Sequence, residues 1–380
     1  MQEIIYTIAL SLLKNIGLPT TKILYETMGS ATAVFENRKN ITDALPDASP
    51  KLIKALNDLD FYIKRAEQEL EFADKRNIRP LCLNNDAYPK RLKECCDAPL
   101  VLYYRGNGDL NGKHIVSMVG TRQCTEYGKD LCKSFVSEMA KVLPDTIIIS
   151  GLAYGIDIHA HRAALECGLD TIGVLAHGLE KIYPSTHTAT ALEMANHGGV
   201  LTEYVSNTRI DKGNFVRRNR IIAGMCDACI VVESADKGGS LITADFANDY
   251  NRDVFAFPGR VFDKYSSGCN KLIRQNKAAL IENADDLISV MGWDESTKNK
   301  EAKQLSLFDD DATDSIAELS DNERKIVECL KHEDYKSINA IVTETGIPYH
   351  VVSSEIFELE TKGVVESFGS NRVKLQKNSI

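Results

Sequence analysis

The sequence predicts an α/β protein built on a doubly wound parallel sheet, and three observations predict this fold class. Six short apolar runs alternate with amphipathic stretches through the centre of the chain, as strands alternate with helices in such sheets. The length of 380 residues exceeds that of one ordinary domain. The composition, 43% hydrophobic and 26% charged, supplies enough apolar material for a large core.

Residues 1–80 predict a small helical domain. Leu10, Leu13 and Ile16 follow helical spacing, and Gly17 with the proline two positions later predicts a tight turn before the next helix. The segment is similar to a helix-hairpin-helix, within a SAM-like or helix-hairpin-helix-like domain. Two interpretations stay open: turn amides that meet a DNA phosphate, or a helical domain that serves packing alone.

Residues 81–293 predict the central sheet. Their apolar runs are short and continuous, as in strands that are buried on both faces of a parallel sheet. Amphipathic stretches between the runs predict the crossover helices. The strand candidates are residues 114–119, 146–149, 171–175, 199–202, 228–232 and 253–257.

The carboxyl-terminal part predicts a linker and a second folded unit. Residues 294–317 lose hydrophobic periodicity and carry the acidic run from Asp309 to Asp311, which is typical of a linker. Residues 318–380 predict three helices followed by a two-stranded hairpin. That order of elements is the winged-helix plan.

The termini and the cysteines indicate the compartment. The chain begins Met1-Gln-Glu without the basic region of a secretion signal, and no apolar run is long enough to cross a bilayer. We therefore expect a cytoplasmic protein with no membrane partner. The ten cysteines are scattered, and Cys226 with Cys229 forms a CxxC that lacks a second pair at zinc-like spacing. We expect buried thiols and no bound metal.

Glycine-rich loops follow three of the predicted strands. In doubly wound folds, ligands bind beyond the carboxyl ends of the strands, where backbone amides and helix N-termini favour an anion. Neither a Walker A motif nor a full GxGxxG occurs, so we expect no nucleotide cofactor. The predicted phosphate-binding residues in these loops are Gly120, Thr121, Arg122, Ser150, Gly151, Gly155, Gly239 and Ser240.

An arginine cluster interrupts a chain whose net charge is −9. Arg217, Arg218 and Arg220 stand within four positions, with Asn219 between them and Phe215 just before them. Guanidinium groups repel one another but grip phosphate bidentately, so the cluster indicates a phosphate-bearing ligand. A solvated helix face is the alternative. Phe215 is predicted either to stack on a base or to pack in the core.

A few polar residues near these loops predict support of the site. His159 and His161 are two positions apart on a predicted helix, so they point in different directions and do not predict a metal site. We assign Asp157 and His161 to fixing the loop and its helix. Glu203, at the end of a predicted strand, is assigned the same supporting role.

Blocks of residues along the whole α/β region resemble the bacterial DNA-processing protein A (DprA/Smf) family. The resemblance implies an extended Rossmann-like sheet with a helical domain before it and a winged helix after it. It also implies a dimer that binds single-stranded DNA and helps to load RecA recombinase during natural transformation and recombination. The family is not known as enzymes. The blocks are Val119-Gly-Thr-Arg122, Ser150-Gly-Leu-Ala-Tyr-Gly-Ile-Asp157, Phe215 with Arg217-Arg-Asn-Arg-Ile-Ile-Ala-Gly224, Gly239-Ser-Leu-Ile-Thr-Ala244 and Phe257-Pro-Gly259.

The sequence departs from the family pattern in places. Thr121 stands where the family has serine, and a segment beginning at Arg274 replaces a Gly-Ala pair. The third helix of the winged-helix unit carries Glu355, Glu358 and Glu360, an unfavourable face for DNA phosphates. For that unit we expect protein contact or support of a dimer.

One segment of the predicted linker is similar to the peptides by which bacterial replication and repair proteins dock on the sliding clamp. It comprises Gln304, Leu305, Leu307 and Phe308. Apolar side chains within an acidic linker indicate a partner, which makes the clamp a predicted partner here. Packing of the same residues against a folded domain is the alternative.

An enzymatic alternative comes from a second resemblance. Rossmann-like nucleotide N-glycoside hydrolases of the lysine-decarboxylase-like (LOG) class also place a Gly-Gly loop before a helix and use an acidic residue. Glu233 or Asp245 would take that role here, although the class motif is incomplete in this sequence. We expect a DNA-binding protein and no enzyme.

Overall fold

The computed structural model describes residues 2–293, 319–331, 335–368 and 371–376. They form two compact units, Met1–Tyr250 with Val254–Leu280 and Asn251–Asp253 with Ile281–Ile380. Within these described ranges, no helix combines the length and the apolar character that crossing a membrane requires. The predicted clamp-docking residues, Gln304 to Phe308, lie outside the described residues, as does the rest of the predicted linker.

The first unit begins with six helices. Leu18 opens the second of them with proline in its first turn, and Gly29 ends it at a positive φ of 79°, a conformation that glycine adopts without strain. The helix that follows is capped by Ser30, whose hydroxyl accepts a hydrogen bond from the Ala33 amide. The helices are α1 (Gln2–Ser11), α2 (Leu18–Met28), α3 (Ala31–Asn37), α4 (Ile41–Ala44), α5 (Pro50–Asn57) and α6 (Leu59–Lys75).

A nine-stranded sheet forms the centre of the first unit. Its spatial order is β1-β2-β6-β5-β4-β3-β7-β8-β9. The pairs β3–β4, β3–β7, β4–β5, β5–β6 and β8–β9 are parallel, whereas β1–β2 and β2–β6 are antiparallel. The strands are β1 (Arg79–Cys82), β2 (Val101–Gly106), β3 (Ile115–Val119), β4 (Ile147–Ser150), β5 (Thr171–Val174), β6 (Gly198–Thr202), β7 (Ala228–Val231), β8 (Asp253–Ala256) and β9 (Ala279–Leu280).

Helices connect the strands of this sheet, and the predicted α/β fold class is confirmed. All six predicted strands are present, and every residue of β3, β4, β5, β6 and β7 is buried, as the continuous apolar runs predict. The connecting helices are α7 (Lys90–Lys93), α8 (Glu126–Val142), α9 (Ile156–Glu166), α10 (Thr188–Met194), α11 (Lys212–Met225), α12 (Gly239–Asp249) and α13 (Ser267–Arg274).

The amino-terminal helices and the sheet share one hydrophobic core, which runs from Ile8 and Leu10 of α1 to Tyr104 of β2 and beyond. Polar contacts also join the two. The buried Lys22 ammonium donates to the carbonyl oxygens of Lys93 at 2.7 Å and Cys95 at 2.8 Å. These helices therefore pack as part of the first unit.

The second unit contains the predicted winged helix. The helix Asp321–Leu330 begins with a capping box, in which the Ser320 side chain and the Glu323 side chain each accept a hydrogen bond from the other's backbone amide. Ile326, Leu359 and Val373 are fully buried in its core. Its elements are α14 (Ala284–Met291), α15 (Asp321–Leu330), β10 (Lys336–Ser337), α16 (Ile338–Thr345), α17 (Tyr349–Thr361), β11 (Val365–Phe368) and β12 (Arg372–Leu375), with sheet order β10-β12-β11.

Candidate functional site

A crevice opens at the carboxyl end of β3. The chain leaves β3 to form β4 on one side of it, while β7 pairs with β3 on the other side, so the strand order reverses at this point. Loops that leave such a switch point in opposite directions separate and form a ligand-binding crevice. The fold therefore places the candidate site here.

A cavity of about 250 Å³ occupies this crevice, and we call it the first cleft. It brings together residues from the β3 loop, the start of α9, the middle of α11 and the start of α12. Val119, Val216 and Ile222 give it apolar walls. The predicted site residues that line it are Gly120, Thr121, Arg122, Asp157, Phe215, Arg218, Asn219, Gly239 and Ser240.

A cation and an aromatic ring lie together on one wall of the first cleft. The exposed Arg122 guanidinium carbon lies 5.2 Å from the centre of the Phe215 ring, within cation–π range. The Tyr183 ring lies 6.0 Å from the same phenylalanine. This wall offers a positive charge next to aromatic surface, a pairing that suits a phosphate beside a planar base.

The N-terminus of α12 forms another part of the first cleft. Its N-cap, Gly238, has an extended backbone and supplies no side chain to bond the first amides. Gly239 and Ser240 open the helix, so their N–H groups have no carbonyl partner within it. The Ser240 hydroxyl donates to Ser234 at 2.9 Å, which fixes its position. The helix dipole and these amides favour an anion here.

We expected the N-terminus of α8 to offer free amides to an anion as well, but amides at this end are already hydrogen-bonded. Glu233, a buried carboxylate, accepts hydrogen bonds from the Thr125 amide at 2.9 Å and the Thr125 hydroxyl at 2.5 Å. The Thr125 hydroxyl in turn accepts from the Gly128 amide. An internal carboxylate thus already occupies the position that an external anion would take.

The glycine-rich loop after β4 supports the β3 loop. Ser150 is buried and donates to the Met118 carbonyl oxygen at 2.6 Å. Gly155 has a φ of 78°, and a Cβ there would lie 2.1 Å from the Thr121 carbonyl oxygen. Ser150, Gly151 and Gly155 do not line the first cleft. They allow the β4 loop to approach the β3 loop closely.

The three clustered arginines point in three directions, because successive helical residues are rotated by about 100°. Arg217 is exposed, and it does not line the first cleft. Arg218 is buried at the cleft, where Nη1 donates to the Val174 carbonyl oxygen at 2.5 Å. Burial lowers the Arg218 pKa to about 10, although the nearby Asp157 carboxylate acts in the opposite direction.

Arg220 lies away from the first cleft. It is buried, donates from Nη1 to the Asp97 carbonyl oxygen at 2.8 Å, and forms an ion pair with Glu203. Burial lowers the Arg220 pKa, but the Glu203 and Asp97 carboxylates outweigh it, so the pKa lies above its usual value. Arg220 and Glu203 thus hold α11 against the sheet, and the phosphate-binding role predicted for Arg220 does not fit this position.

Asp157 and His161 occupy the first two turns of α9. Burial raises the Asp157 pKa, while Arg218 opposes this rise, and the carboxylate accepts from the Ala153 amide at 3.4 Å. His161 is fully buried, with Nδ1 lying 2.6 Å from the Thr171 hydroxyl. Burial lowers the His161 pKa to about 3, so the ring is neutral. Both residues occupy positions that suit the supporting role predicted for them.

The two acidic candidates of the hydrolase alternative lie outside the first cleft. Glu233 caps the start of α8, as described above. The Asp245 carboxylate lies on α12 and pairs with the Lys277 ammonium at 2.7 Å. Neither carboxylate faces a ligand held between Arg122 and the N-terminus of α12.

The fold and the crevice together define an α/β protein with a cleft at the switch point of its sheet and with a winged-helix unit. A family model described as DNA recombination-mediator protein A matches residues 79–292. A second model, described as DprA winged helix domain, matches residues 310–369. The chain belongs to the DprA/Smf family.

Individual relatives agree with this assignment. The chain is 40% identical over 229 residues to DNA processing protein DprA of Streptococcus pneumoniae. This match covers 60% of the present chain and 79% of the Streptococcus protein. It is 37% identical over 232 residues to the Bacillus subtilis protein of the same name, across 61% and 77% of the two chains.

Solved structures of two relatives resemble the chain. The X-ray structure of DprA from Streptococcus pneumoniae has a TM-score of 0.60 and 31% identity, and covers 75% of this chain and 96% of that one. DNA processing protein A from Helicobacter pylori, solved for its unique single-stranded DNA binding mode, has a TM-score of 0.50 and 30% identity. That match covers 56% of this chain and 94% of the Helicobacter chain.

Proposed function

We propose that the protein binds single-stranded DNA in the first cleft. The observation that carries the proposal is the position of Arg122 over the Phe215 ring, in one cavity with the free amides of Gly239 and Ser240. Cations and amides take the phosphates, and the aromatic ring stacks on a base whatever its identity. The single-stranded DNA binding mode of the Helicobacter pylori relative supports the same ligand for this chain.

The size and walls of the first cleft favour a single strand over a duplex. A volume of about 250 Å³ admits a nucleotide-sized group and is too small to enclose a paired helix. Its apolar walls suit the face of an unpaired base, which a duplex keeps inside its stack. A strand that follows the crevice would be held by its backbone, so we expect little sequence preference.

The test compares DNA binding by Arg122→Ala with that by Arg105→Ala, at several salt concentrations. Arg105 is an exposed arginine of β2 that does not line the first cleft, so the two variants lose the same charge. We expect Arg122→Ala to weaken binding to all single-stranded sequences alike and to reduce the salt slope by about 1. Equal affinities of the two variants would exclude the first cleft as the DNA site.

We propose further that the chain acts as a cytoplasmic homodimer that helps RecA recombinase to load on incoming DNA in natural transformation and recombination. The family description as a recombination mediator supports this role. Light scattering of the purified protein tests the dimer. A strand-exchange assay with single-strand-binding protein present tests RecA loading, and Arg122→Ala is expected to lose the stimulation that Arg105→Ala keeps.

We propose that this role is not enzymatic. The acidic residues that a nucleotide hydrolase would need, Glu233 and Asp245, are committed to a helix cap and an ion pair. Incubation with nucleoside monophosphates tests the alternative, because a hydrolase would release free base. If the Arg122→Ala variant still releases free base and the Glu233→Gln variant does not, the protein is a hydrolase and the proposal of a non-enzymatic role is wrong.

A further inference from the structure

A second cleft, larger than the first, lies on the far side of the β3 loop. Its volume is about 890 Å³, and it is bordered by the start of α8 and by the loop between β8 and α13. No residue is shared between the linings of the two clefts. None of its lining residues belongs to the DNA site described above, although the second cleft opens at the same carboxyl-terminal edge of the sheet.

Aromatic side chains border the second cleft. Tyr127 is 49% exposed, and its hydroxyl donates to the Pro258 carbonyl oxygen at 3.0 Å, which holds its ring in place. The Tyr265 hydroxyl bonds the Gln123 side chain of the β3 loop. Phe262 lies at the tip of the loop and is 99% exposed, beside a 79% exposed Val261. Two adjacent apolar side chains held in water indicate a binding surface.

The charges at this cleft are nearly balanced. Arg260 and Lys264 are exposed cations on either side of Phe262, and the Lys264 ammonium lies 5.2 Å from the Tyr265 ring centre. Asp263 and Glu126 are exposed carboxylates, and Glu126 pairs with the Lys129 ammonium at 2.6 Å. The buried Glu233 carboxylate also lines the cleft. A ligand of this surface therefore binds through aromatic contact more than through net charge.

The two clefts are close enough to hold one strand. Arg122 lines the first and Thr125 lines the second. Because three peptide units separate them, their α-carbons are at most about 11 Å apart. Gln123 lies between them and bonds Tyr265, so the β3 loop connects both surfaces.

We propose that the second cleft is a further nucleotide-binding subsite, in which bases of the same DNA strand stack on Phe262 and on the tyrosines beside it. Arg260 and Lys264 flank Phe262 within reach of the backbone phosphates, and the strand crosses the β3 loop between the clefts. The combination of exposed rings and flanking cations is the one that sequence-independent single-strand binders use. This inference rests on the proposed function of the first cleft.

The proposed subsite and the first cleft are expected to affect the salt dependence of DNA affinity differently. Stacking displaces few counterions, whereas phosphate contacts displace about one each. Loss of Phe262 therefore weakens binding without changing the salt slope, and loss of Arg122 changes both. A short strand that fills only the first cleft does not depend on Phe262.

The experiment measures binding of labelled dT oligomers of two lengths, a dinucleotide that is too short to reach both clefts and a strand of about 16 nucleotides, the upper span of single-strand-binding grooves. The variants are Phe262→Ala, Phe61→Ala and Arg122→Ala. Phe61 is 78% exposed on α6 and lines neither cleft, so it is the matched control. We expect Phe262→Ala to weaken the longer oligomer about 5- to 150-fold and to leave the shorter one unchanged.

The outcomes separate the two proposals. If Phe262→Ala binds the longer oligomer as tightly as Phe61→Ala does, the subsite is refuted and Phe262 belongs to a protein-contact surface. If Arg122→Ala binds both oligomers normally, the first cleft itself fails as the DNA site. A second variant, Phe262→Trp, reports stacking directly, because its fluorescence is expected to be quenched by the longer oligomer and not by the shorter one.

Discussion

Arg218 packs directly against the backbone of Gly151, so closely that a Cβ on this glycine would lie 1.9 Å from the guanidinium Nη1. Gly151 lies in the loop after β4, whereas Arg218 lies in the middle of α11. Their contact explains why the loop after β4 is rich in glycine although Gly151 does not line the first cleft. The glycine makes room for a buried arginine, and the arginine holds the loop by its bond to the Val174 carbonyl oxygen.

We predict that Gly151→Ala lowers the free energy of unfolding by about 1 to 3 kcal/mol, because the Arg218 guanidinium must give up its bond to the Val174 carbonyl oxygen to clear the new methyl group. Gly239→Ala is the control, since a Cβ there meets no atom within 4 Å. This control should unfold like the native protein in a urea titration. If the two variants are equally stable, Gly151 is not needed to make room for the Arg218 guanidinium.

Arg220→Ala should destabilise the protein by about 3 to 5 kcal/mol, because it leaves the Glu203 carboxylate buried without its cation. Arg217→Ala, an exposed change three positions earlier, should alter the free energy of unfolding by less than about 0.5 kcal/mol. Thermal unfolding of both variants measures the difference. If the Arg220→Ala protein is stable but binds DNA more weakly, Arg220 binds phosphate, as the sequence predicted.

Stability should decrease with acid through His161. Burial lowers the pKa of this imidazole to about 3 in the folded protein, from 6.5 in the unfolded chain. Between these values the unfolded chain binds a proton that the folded protein does not, so the free energy of unfolding falls as the pH drops. The slope from this group is about 1.4 kcal/mol per pH unit.

His161→Asn removes the titrating ring but can still donate to the Thr171 hydroxyl. Denaturant unfolding at pH values from 7 to about 5 should therefore show a shallower loss of stability in the variant. The comparison uses slopes, so a uniform change in stability does not affect it. Parallel pH profiles would mean that His161 is not the group responsible.

Glu69→Ala should lower the free energy of unfolding by about 1.5 to 3 kcal/mol, because charged hydrogen bonds are lost. The buried Glu69 carboxylate of α6 accepts from the Ser206 amide at 2.8 Å and from the Ser206 hydroxyl at 2.6 Å. Glu67→Ala, on the exposed side of the same helix, is the matched control. Equal urea midpoints for the two variants would show that the carboxylate contributes nothing to the fold.

Six strands of the sheet were predictable from short apolar runs that alternate with helical segments. β1 and β2 were not predicted, since alternation of strands and helices reveals parallel neighbours and these two join the sheet antiparallel. Pro80 lies within β1 and has no amide to donate, which suits an edge strand and weakens the sequence signal.

The residues of the site were predictable by type but not by orientation. Helical spacing separates Arg217, Arg218 and Arg220 onto different faces, yet only the packed structure determines which face is buried. The partner of Arg220 is Glu203, which lies 17 positions earlier, and no local sequence pattern predicts a contact over that separation. Phe262 was missed for the same reason, since an apolar residue in a loop is as compatible with a core as with a surface.

The bond between Glu69 and Ser206 has a consequence for synthesis of the chain on the ribosome. The two residues are 137 positions apart, so the helix that carries Glu69 emerges long before its partner exists. At about 5 to 20 residues per second, the delay is roughly 7 to 27 s. Strands β1 to β6 are made one after another during that interval. At its start the first six helices have no sheet to cover them, so the nascent protein presents apolar helix faces that later become interior.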